Sequence, residues 1–128
     1  MKAAVYYENG APQVFRYEDV ADPTCDANGI VIDVKAVSIE GGDVLNRAGG
    51  ALVTKPHVVG YQAAGVVREV GANVTAFKVG DHAVTVGAFG SHAARRAAWL
   101  PNAPTVTAWS PTTNYVTFAP TSRTTPAA

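Results

Sequence analysis

The chain has 128 residues, a length that suits one ordinary domain with its own hydrophobic core rather than two domains around a cleft. Ten Lys and Arg balance ten Asp and Glu, and this neutrality argues against a nucleic-acid or membrane-surface partner. The single cysteine, Cys25, excludes an internal disulfide framework and a zinc site built on several thiolates, and it favours a reducing cytoplasm. No segment has the apolar core of a secretory signal or the length of a membrane span, so a soluble, cytoplasmic protein is expected.

Short strands separated by turn residues dominate the first hundred residues. In one of them Ile30 and Ile32 alternate with Val31 and Asp33, which is the period of two typical of a half-buried strand. Predicted strands cover residues 3–7, 15–20, 30–37, 65–70, 82–86 and 92–97. A short helical turn is predicted at residues 42–48, where Asp43 would cap it. Many short strands at this spacing predict a barrel.

The composition changes after Ala97. Every acidic residue and all but one basic residue lie before that point, and Arg123 is the only charged residue after it. Pro and Thr crowd this segment together with aromatic residues, which solvated linkers usually lack. We therefore predict a domain at residues 1–97 and a Pro/Thr-rich irregular tail at residues 98–128. Two interpretations of the tail stay open, an ordinary disordered segment and a shifted reading frame.

The most informative stretch is residues 60–84, which predicts a strand hairpin. Gly65 would relieve crowding at the start of a strand, and Gly71 and Asn73 suit positive φ angles in the turn. Gly80 and Asp81 would turn the chain again before the next strand. Structural needs alone explain most of these residues.

The same stretch is also similar to the signature of the medium-chain dehydrogenase/reductase superfamily. The likeness depends on the ordered glycines, Val70-Gly71, Val74, Phe77 and Gly80-Asp81, and it extends over residues 1–97. The chain thus resembles the N-terminal, GroES-like domain of the zinc-independent quinone oxidoreductases. This resemblance implies a mainly β fold, a partly open GroES-like barrel with one or two short helical turns and an irregular C-terminal tail, without a Rossmann domain.

Departures from the superfamily pattern distinguish its branches. The zinc alcohol dehydrogenases place a Cys and a His-Glu pair where this chain has Glu40, Tyr61 and Gln62. A carboxylate, a phenol and a neutral amide are a poor zinc set, because Zn²⁺ prefers thiolate and imidazole. No zinc is therefore expected. Residues 38–49 look like the quinone reductase pattern Asn-Pro-x-Asp followed by Arg-x-Gly. Asp43, Arg47 and Gly49 of this pattern are retained, whereas Glu40 and Gly41 replace its Asn-Pro.

The resemblance implies hydride transfer from NADPH to a quinone or an α,β-unsaturated carbonyl. It places four candidates in the substrate and cofactor cleft, namely Glu40, Asp43, Tyr61 and Gln62. The Tyr61 hydroxyl or the Gln62 amide would donate a hydrogen bond to the carbonyl oxygen. Structural alternatives stay open: Asp43 as a helix cap, Tyr61 as a rim aromatic and Arg47 as the partner of a surface carboxylate.

The histidines and the cysteine are interpreted as structural. His57, His82 and His92 lack Cys, Asp or Glu partners at metal-ligand spacing. Cys25 has no cation or helix N-terminus nearby that would lower its pKa, so a nucleophilic role is not expected.

A nucleotide-binding motif is missing from the sequence. Residues 87–90 lie in the wrong context to cradle a pyrophosphate, and about thirty residues after Ala97 cannot build a doubly wound domain. We therefore expect a truncated enzyme that neither binds NADPH nor turns over alone. Its uncovered apolar face predicts self-association or docking on a full-length paralogue. The alternative is a free-standing GroES-like module that binds another chain.

Overall fold

The computed structural model describes residues 1–87, 89–100 and 106–109. One α-helix, α1 at Gly41–Gly49, and a 3₁₀ turn at Pro12–Val14 accompany the strands. The strands are β1 Lys2–Tyr6, β2 Arg16–Asp19, β3 Gly29–Ser38, β4 His57–Val58, β5 Gln62–Val70, β6 His82–Val86, β7 Arg95–Trp99 and β8 Val106–Trp109. The mainly β fold with one or two short helical elements is confirmed.

The strands form two antiparallel sheets. One has the order β2-β1-β4, and the other has the order β7-β3-β5-β6-β8. The segment before β7 joins them, because Ala4 N–H donates to His92 O and Ala94 N–H donates to Lys2 O, both at 2.9 Å. The described strands do not close into a complete barrel, in agreement with the partly open GroES-like architecture.

The hydrophobic core lies against the middle of the larger sheet. Its buried members come from three adjacent strands, β3, β5 and β6: Ile30, Ile32, Ala63, Val67 and Ala83. Val31, on the opposite face of β3, is also fully buried, whereas residues 35–38 are exposed. The prediction that buried and exposed residues alternate along β3 is therefore wrong. Both faces are buried at the start of the strand, and both are exposed at its end.

The predicted elements match the observed ones with small shifts. The bounds of β6 agree with the prediction, and β7 extends beyond Ala97 to Trp99. Residues 106–109, assigned from sequence to the tail, form β8 and pair with β6. Most of the remaining predicted tail lies outside the described residues. Within the described part of the chain, no helix is long and apolar enough to cross a bilayer.

Two glycines in β5 and after it are required by close approach of the backbone. A Cβ at Gly65 would lie 2.1 Å from Asp33 O, so this glycine relieves crowding between β5 and β3. Gly71 was predicted to have a positive φ, and this prediction is wrong. A Cβ there would lie 2.1 Å from Asp26 O, so what Gly71 provides is space for the loop before β3. Asn73 also lacks a positive φ.

Candidate functional site

The four predicted site residues lie at one end of the larger sheet. The register pairs Gln62, the first residue of β5, with Ser38, the last residue of β3. Glu40 follows two residues after the end of β3, and Asp43 lies in the first turn of α1. The antiparallel pairing of β3 and β5 thus brings the two predicted motifs to the same edge.

Glu40 and Asp43 are joined by the N-terminus of the helix. Glu40, rather than Asp43, occupies the N-cap, and Asp43 is the third helical residue. The backbone N–H of Glu40 donates to Asp43 Oδ2 at 2.8 Å. Asp43 is only 4% exposed, and its Oδ1 is buried without a hydrogen-bond partner. Asp43 therefore caps the helix as predicted, but from the third helical position and not as the N-cap residue.

Arg47 does not pair with a surface carboxylate. Its side chain is buried, and its guanidinium donates from Nη1 to Gly10 O. In return, Gly10 N–H donates to Arg47 O at 2.9 Å. This reciprocal pair attaches α1 to the loop after β1, so Arg47 positions the helix that carries Asp43.

Tyr61 packs against the inner face of α1. A Cβ at Gly42 would lie 3.0 Å from Tyr61 Cε2, so the ring fits against this helical glycine. The phenol oxygen accepts a hydrogen bond from Asn46 Nδ2 at 2.8 Å. Asn46 was not among the predicted site residues. Its spacing of four from Gly42 places both on one helix face, which is the sequence signal that would have identified it.

The backbone of Tyr61 is held by residues that the sequence did not single out. Arg96 Nη1 donates to Tyr61 O at 3.0 Å, and Gly87 N–H donates to the same oxygen at 2.8 Å. Gln62, the next residue, is half-buried and begins the ladder with β3 and β6. Both carbonyl contacts come from distant segments, which explains why spacing alone did not reveal them.

A buried phenol lies beneath these groups. Tyr6 of β1 has a hydroxyl that is buried without a hydrogen-bond partner. Burial raises the pKa of Tyr6, Arg47 opposes this effect, and the charges of Asp43 and Tyr61 add to it. The Tyr6 hydroxyl is therefore within electrostatic range of Asp43, Arg47 and Tyr61.

A cavity of about 200 Å³ lies between β1, the 3₁₀ turn and α1. Asp43, Arg47 and His92 contribute its polar groups, and Phe15 and Val44 are among its apolar walls. Glu40, Tyr61 and Gln62 do not line this cavity. The structure thus brings the four candidates to one edge without placing all of them around a single described cavity.

The donor set at this edge suits zinc poorly. Its side chains are the carboxylate of Glu40, the phenol of Tyr61 and the amide of Gln62, none of which is the thiolate or imidazole that Zn²⁺ prefers. Among the described residues, no three His, Cys, Asp or Glu side chains are grouped as metal ligands. The described residues contain no βαβ unit of the kind that binds the pyrophosphate of NADPH. They offer this edge of the larger sheet for contact with the cofactor.

His57, His92 and Cys25 lie in packing environments. His57 is buried between the rings of Tyr6 and Phe89, at centroid distances of 5.0 and 5.5 Å, and burial lowers its pKa. His92 packs against Gly60. Burial raises the pKa of the Cys25 thiol, and the charges of Glu69 and Asp26 raise it further. A raised pKa leaves the Cys25 thiol less ionised and therefore less nucleophilic.

Residues 26–110 match the family described as the alcohol dehydrogenase GroES-like domain. The match covers well over half of the chain, and the structural neighbours include quinone oxidoreductases of the medium-chain dehydrogenase/reductase superfamily. The chain therefore belongs to the alcohol dehydrogenase GroES-like domain family, which confirms the resemblance predicted from its sequence.

Three known proteins illustrate this relationship. Sorbitol dehydrogenase of Bacillus subtilis (strain 168) is 35% identical over 85 residues, which cover 63% of this chain and 23% of that protein. Quinone oxidoreductase of Sus scrofa is 34% identical over 89 residues, which cover 67% of this chain and 27% of that protein. The crystal structure of Escherichia coli quinone oxidoreductase complexed with NADPH aligns with a TM-score of 0.72 and 26% identity, over 76% of this chain and 30% of that chain. The chain spans about a quarter of the length of these curated relatives.

Proposed function

We propose that the chain supplies the substrate-facing wall of a zinc-independent, NADPH-dependent oxidoreductase that reduces a quinone or an α,β-unsaturated carbonyl. The observation that carries the proposal is that Glu40, Tyr61 and Gln62 lie at one edge of the larger sheet. The family resemblance implies that this carboxylate, phenol and amide replace the metal ligands of the zinc enzymes. The quinone oxidoreductase complexed with NADPH among the structural neighbours supports this branch.

Tyr61 is the best-placed donor to a substrate oxygen. Asn46 Nδ2 already donates to the phenol oxygen, so the phenolic proton is left to donate elsewhere. A hydrogen bond from this proton to the carbonyl oxygen would stabilise the negative charge that develops as hydride arrives. Gln62, one residue further on, has an amide that can donate in the same way.

When bound, NADPH would supply the hydride. The residues of this chain would bind and orient the substrate carbonyl, and Arg47 and Asn46 would hold α1 and Tyr61 in place for it. The chain spans about a quarter of its curated relatives, so the proposal assigns to it one wall of the cleft and no turnover by itself.

A quinone titration followed by NMR tests the proposed wall. Duroquinone added to the purified, ¹⁵N-labelled chain is expected to shift the backbone signals of Glu40, Asp43, Tyr61 and Gln62 in a saturable way. Tyr61→Phe should weaken this binding, whereas Tyr17→Phe on the exposed face of β2 should not. Shifts confined to other parts of the chain, or an equal response of both variants, would refute the proposal.

A second titration tests the cofactor assignments. NADPH added with duroquinone to the purified chain should remain unoxidised, and equilibrium dialysis against Zn²⁺ should leave the chain without stoichiometric zinc. Oxidation of NADPH would show that the chain forms a complete site, alone or as an oligomer. Retention of one zinc per chain would overturn the zinc-independent assignment.

A docking module is the second candidate function, and exposed apolar side chains favour it. Leu45 in α1, Ile39 before the helix and Val53 after it in sequence are 72%, 76% and 62% exposed. Large exposed apolar groups close together are typical of interaction surfaces. Sedimentation of the purified chain tests whether this surface is available for binding, because a docking surface without its partner should promote self-association.

A further inference from the structure

Arg96 has an unusual environment for an arginine. It lies in β7 opposite Ile32 of β3, and it is only 8% exposed. Its neighbour Arg95 pairs with the carboxylates of Asp22 and Asp33. Arg96 takes part in none of the ion pairs between described residues, and burial lowers its pKa. A guanidinium buried in this way needs acceptors that compensate for the loss of water.

The acceptors of Arg96 belong to two other segments. Nη1 donates to Tyr61 O at 3.0 Å and also to Ser91 Oγ. Gly87 N–H donates to the same Tyr61 oxygen at 2.8 Å. The Tyr61 carbonyl thus receives two hydrogen bonds, one of them from a charged donor, and charge-assisted hydrogen bonds are about twice as strong as neutral ones.

The neighbouring backbone leaves room for this arrangement. A Cβ at Gly87 would lie 2.5 Å from Arg96 Nη2, so the guanidinium occupies the space that any side chain at position 87 would need. Gly60, immediately before Tyr61, has a φ of 110°, a conformation that other residues rarely adopt. The chain therefore turns at Gly60 and is held at the next carbonyl by Arg96.

We infer that Arg96 is a positioning residue, which fixes the backbone of Tyr61 and thereby the direction in which Tyr61 and Gln62 face the substrate. This inference rests on the proposed function, in which these two side chains contact the carbonyl substrate. Tyr61 is then held at two points, at its phenol oxygen by Asn46 and at its carbonyl by Arg96. Loss of the second contact would let the start of β5 move without breaking the first.

The test compares Arg96→Met with Arg95→Met in the purified chain. Both substitutions remove a guanidinium from β7, but only the first removes a donor to Tyr61 O. Two readouts are measured well below the melting temperature: the dissociation constant of duroquinone and the NMR signals of the Tyr61 amide and the Gln62 side-chain NH₂. Arg96→Met should shift both signals and weaken duroquinone binding by up to about tenfold, the limit reached if the free energy of this charge-assisted hydrogen bond is needed to hold Tyr61 in its binding conformation. Arg95→Met should leave binding and both signals unchanged.

A conservative variant separates positioning from a general role in stability. Arg96→Lys keeps the charge and one donor and should recover part of the affinity, because lysine can reach one of the two acceptors. If Arg96→Met lowers the melting temperature but leaves the Gln62 signals and the affinity as in the unmodified chain, the inference is wrong. If Arg96→Met does not fold, the same comparison is made between Arg96→Gln and Arg95→Gln, which remove the charge and shorten the side chain. Unshifted Tyr61 and Gln62 signals together with unaltered affinity in Arg96→Gln would then overturn the inference.

Failure of the proposed function gives a different result. If the unmodified chain does not bind duroquinone, the proposed substrate wall is wrong, whereas the Tyr61 and Gln62 signals still report whether Arg96 fixes this backbone. Shifted signals without quinone binding would confine Arg96 to a structural role and overturn its assignment as a positioning residue for substrate.

Discussion

Asn46 Nδ2 donates a 2.8 Å hydrogen bond to the phenol oxygen of Tyr61. This bond joins helix α1 to the residue that immediately precedes β5. The two residues belong to separate sequence motifs, and neither motif predicts the other. The bond therefore shows how the fold assembles the candidate site from two segments.

A double-mutant cycle on this pair should detect the connection. Tyr61→Phe removes the acceptor and Asn46→Ala removes the donor, and the coupling free energy between them should be about 0.5–1.5 kcal/mol, the net value of a typical hydrogen bond. Urea unfolding of the four proteins measures it. The same cycle with Tyr17→Phe in place of Tyr61→Phe is the control and should give no coupling, since Tyr17 is exposed on β2. Additive effects for Asn46 and Tyr61 would contradict the prediction.

Gly60→Ala should destabilise the chain strongly. Gly60 has a φ of 110°, and a Cβ there would lie 2.4 Å from His92 Cδ2. Backbone strain alone costs about 1–3 kcal/mol at such a position, and the clash adds to it. Gly49→Ala is the matched control, because its Cβ meets no atom within 4 Å, and its effect should stay below about 1 kcal/mol. The midpoint of urea unfolding ranks the two variants, and equal midpoints would be inconsistent with the observed turn.

The stability of the chain should fall between about pH 7 and pH 5 because of His57. Its pKa in the folded state lies below the ordinary 6.5, since burial disfavours the charged imidazole. Below pH 6.5 the unfolded chain therefore binds more protons than the folded chain, and acidification favours unfolding. The carboxyl groups of Asp19, Asp22 and Asp81, whose pKa values are held below 3.8 by ion pairs and hydrogen bonds, act in a separate window at lower pH.

Thermal melts at half-unit pH steps check this prediction. His57→Gln should flatten the dependence of the melting temperature on pH between 7 and 5, although it also lowers stability by disturbing the packing with Tyr6. An unaltered slope in His57→Gln would mean that another group binds the proton.

Leu45→Glu should reduce self-association of the purified chain. Leu45 is 72% exposed on α1, next to the exposed Val44 and near Ile39, and a carboxylate in their midst would oppose burial against a second copy. Analytical ultracentrifugation over a range of concentrations measures the effect. Val79→Glu is the control, at an exposed position far along the chain. If the unmodified chain is monomeric at all concentrations, the prediction that its exposed apolar side chains cause self-association is wrong.

The strands could be predicted from sequence because local signals determine them. Alternating apolar residues and turn signals located β3 and β6, and Gly80 has the positive φ expected of a turn. The strand β4 escaped prediction, since its two residues, His57 and Val58, owe their conformation to pairing with β1. The function of Gly71 was misassigned for a similar reason: the atoms that exclude a side chain there belong to residues far away in sequence.

The candidate site could be predicted only as a set of positions. Sequence spacing identified Glu40 and Asp43 on one segment and Tyr61 and Gln62 on another, and the pairing of β3 with β5 brings these segments together. The spacing contained no information on Arg96, which lies on a third strand and contacts a backbone carbonyl. Every residue type has a backbone carbonyl. An arginine that donates to one therefore requires no particular residue as its partner, and the pair leaves no motif in the sequence.

The packing of Arg96 against Gly87 makes the two positions interdependent in design. A Cβ at position 87 would lie 2.5 Å from Arg96 Nη2, so Gly87→Ala requires the guanidinium to move and its hydrogen bonds to Tyr61 O and Ser91 Oγ to readjust. A shorter residue at position 96 would open the space that the new methyl group needs, and libraries that vary one position should therefore vary both.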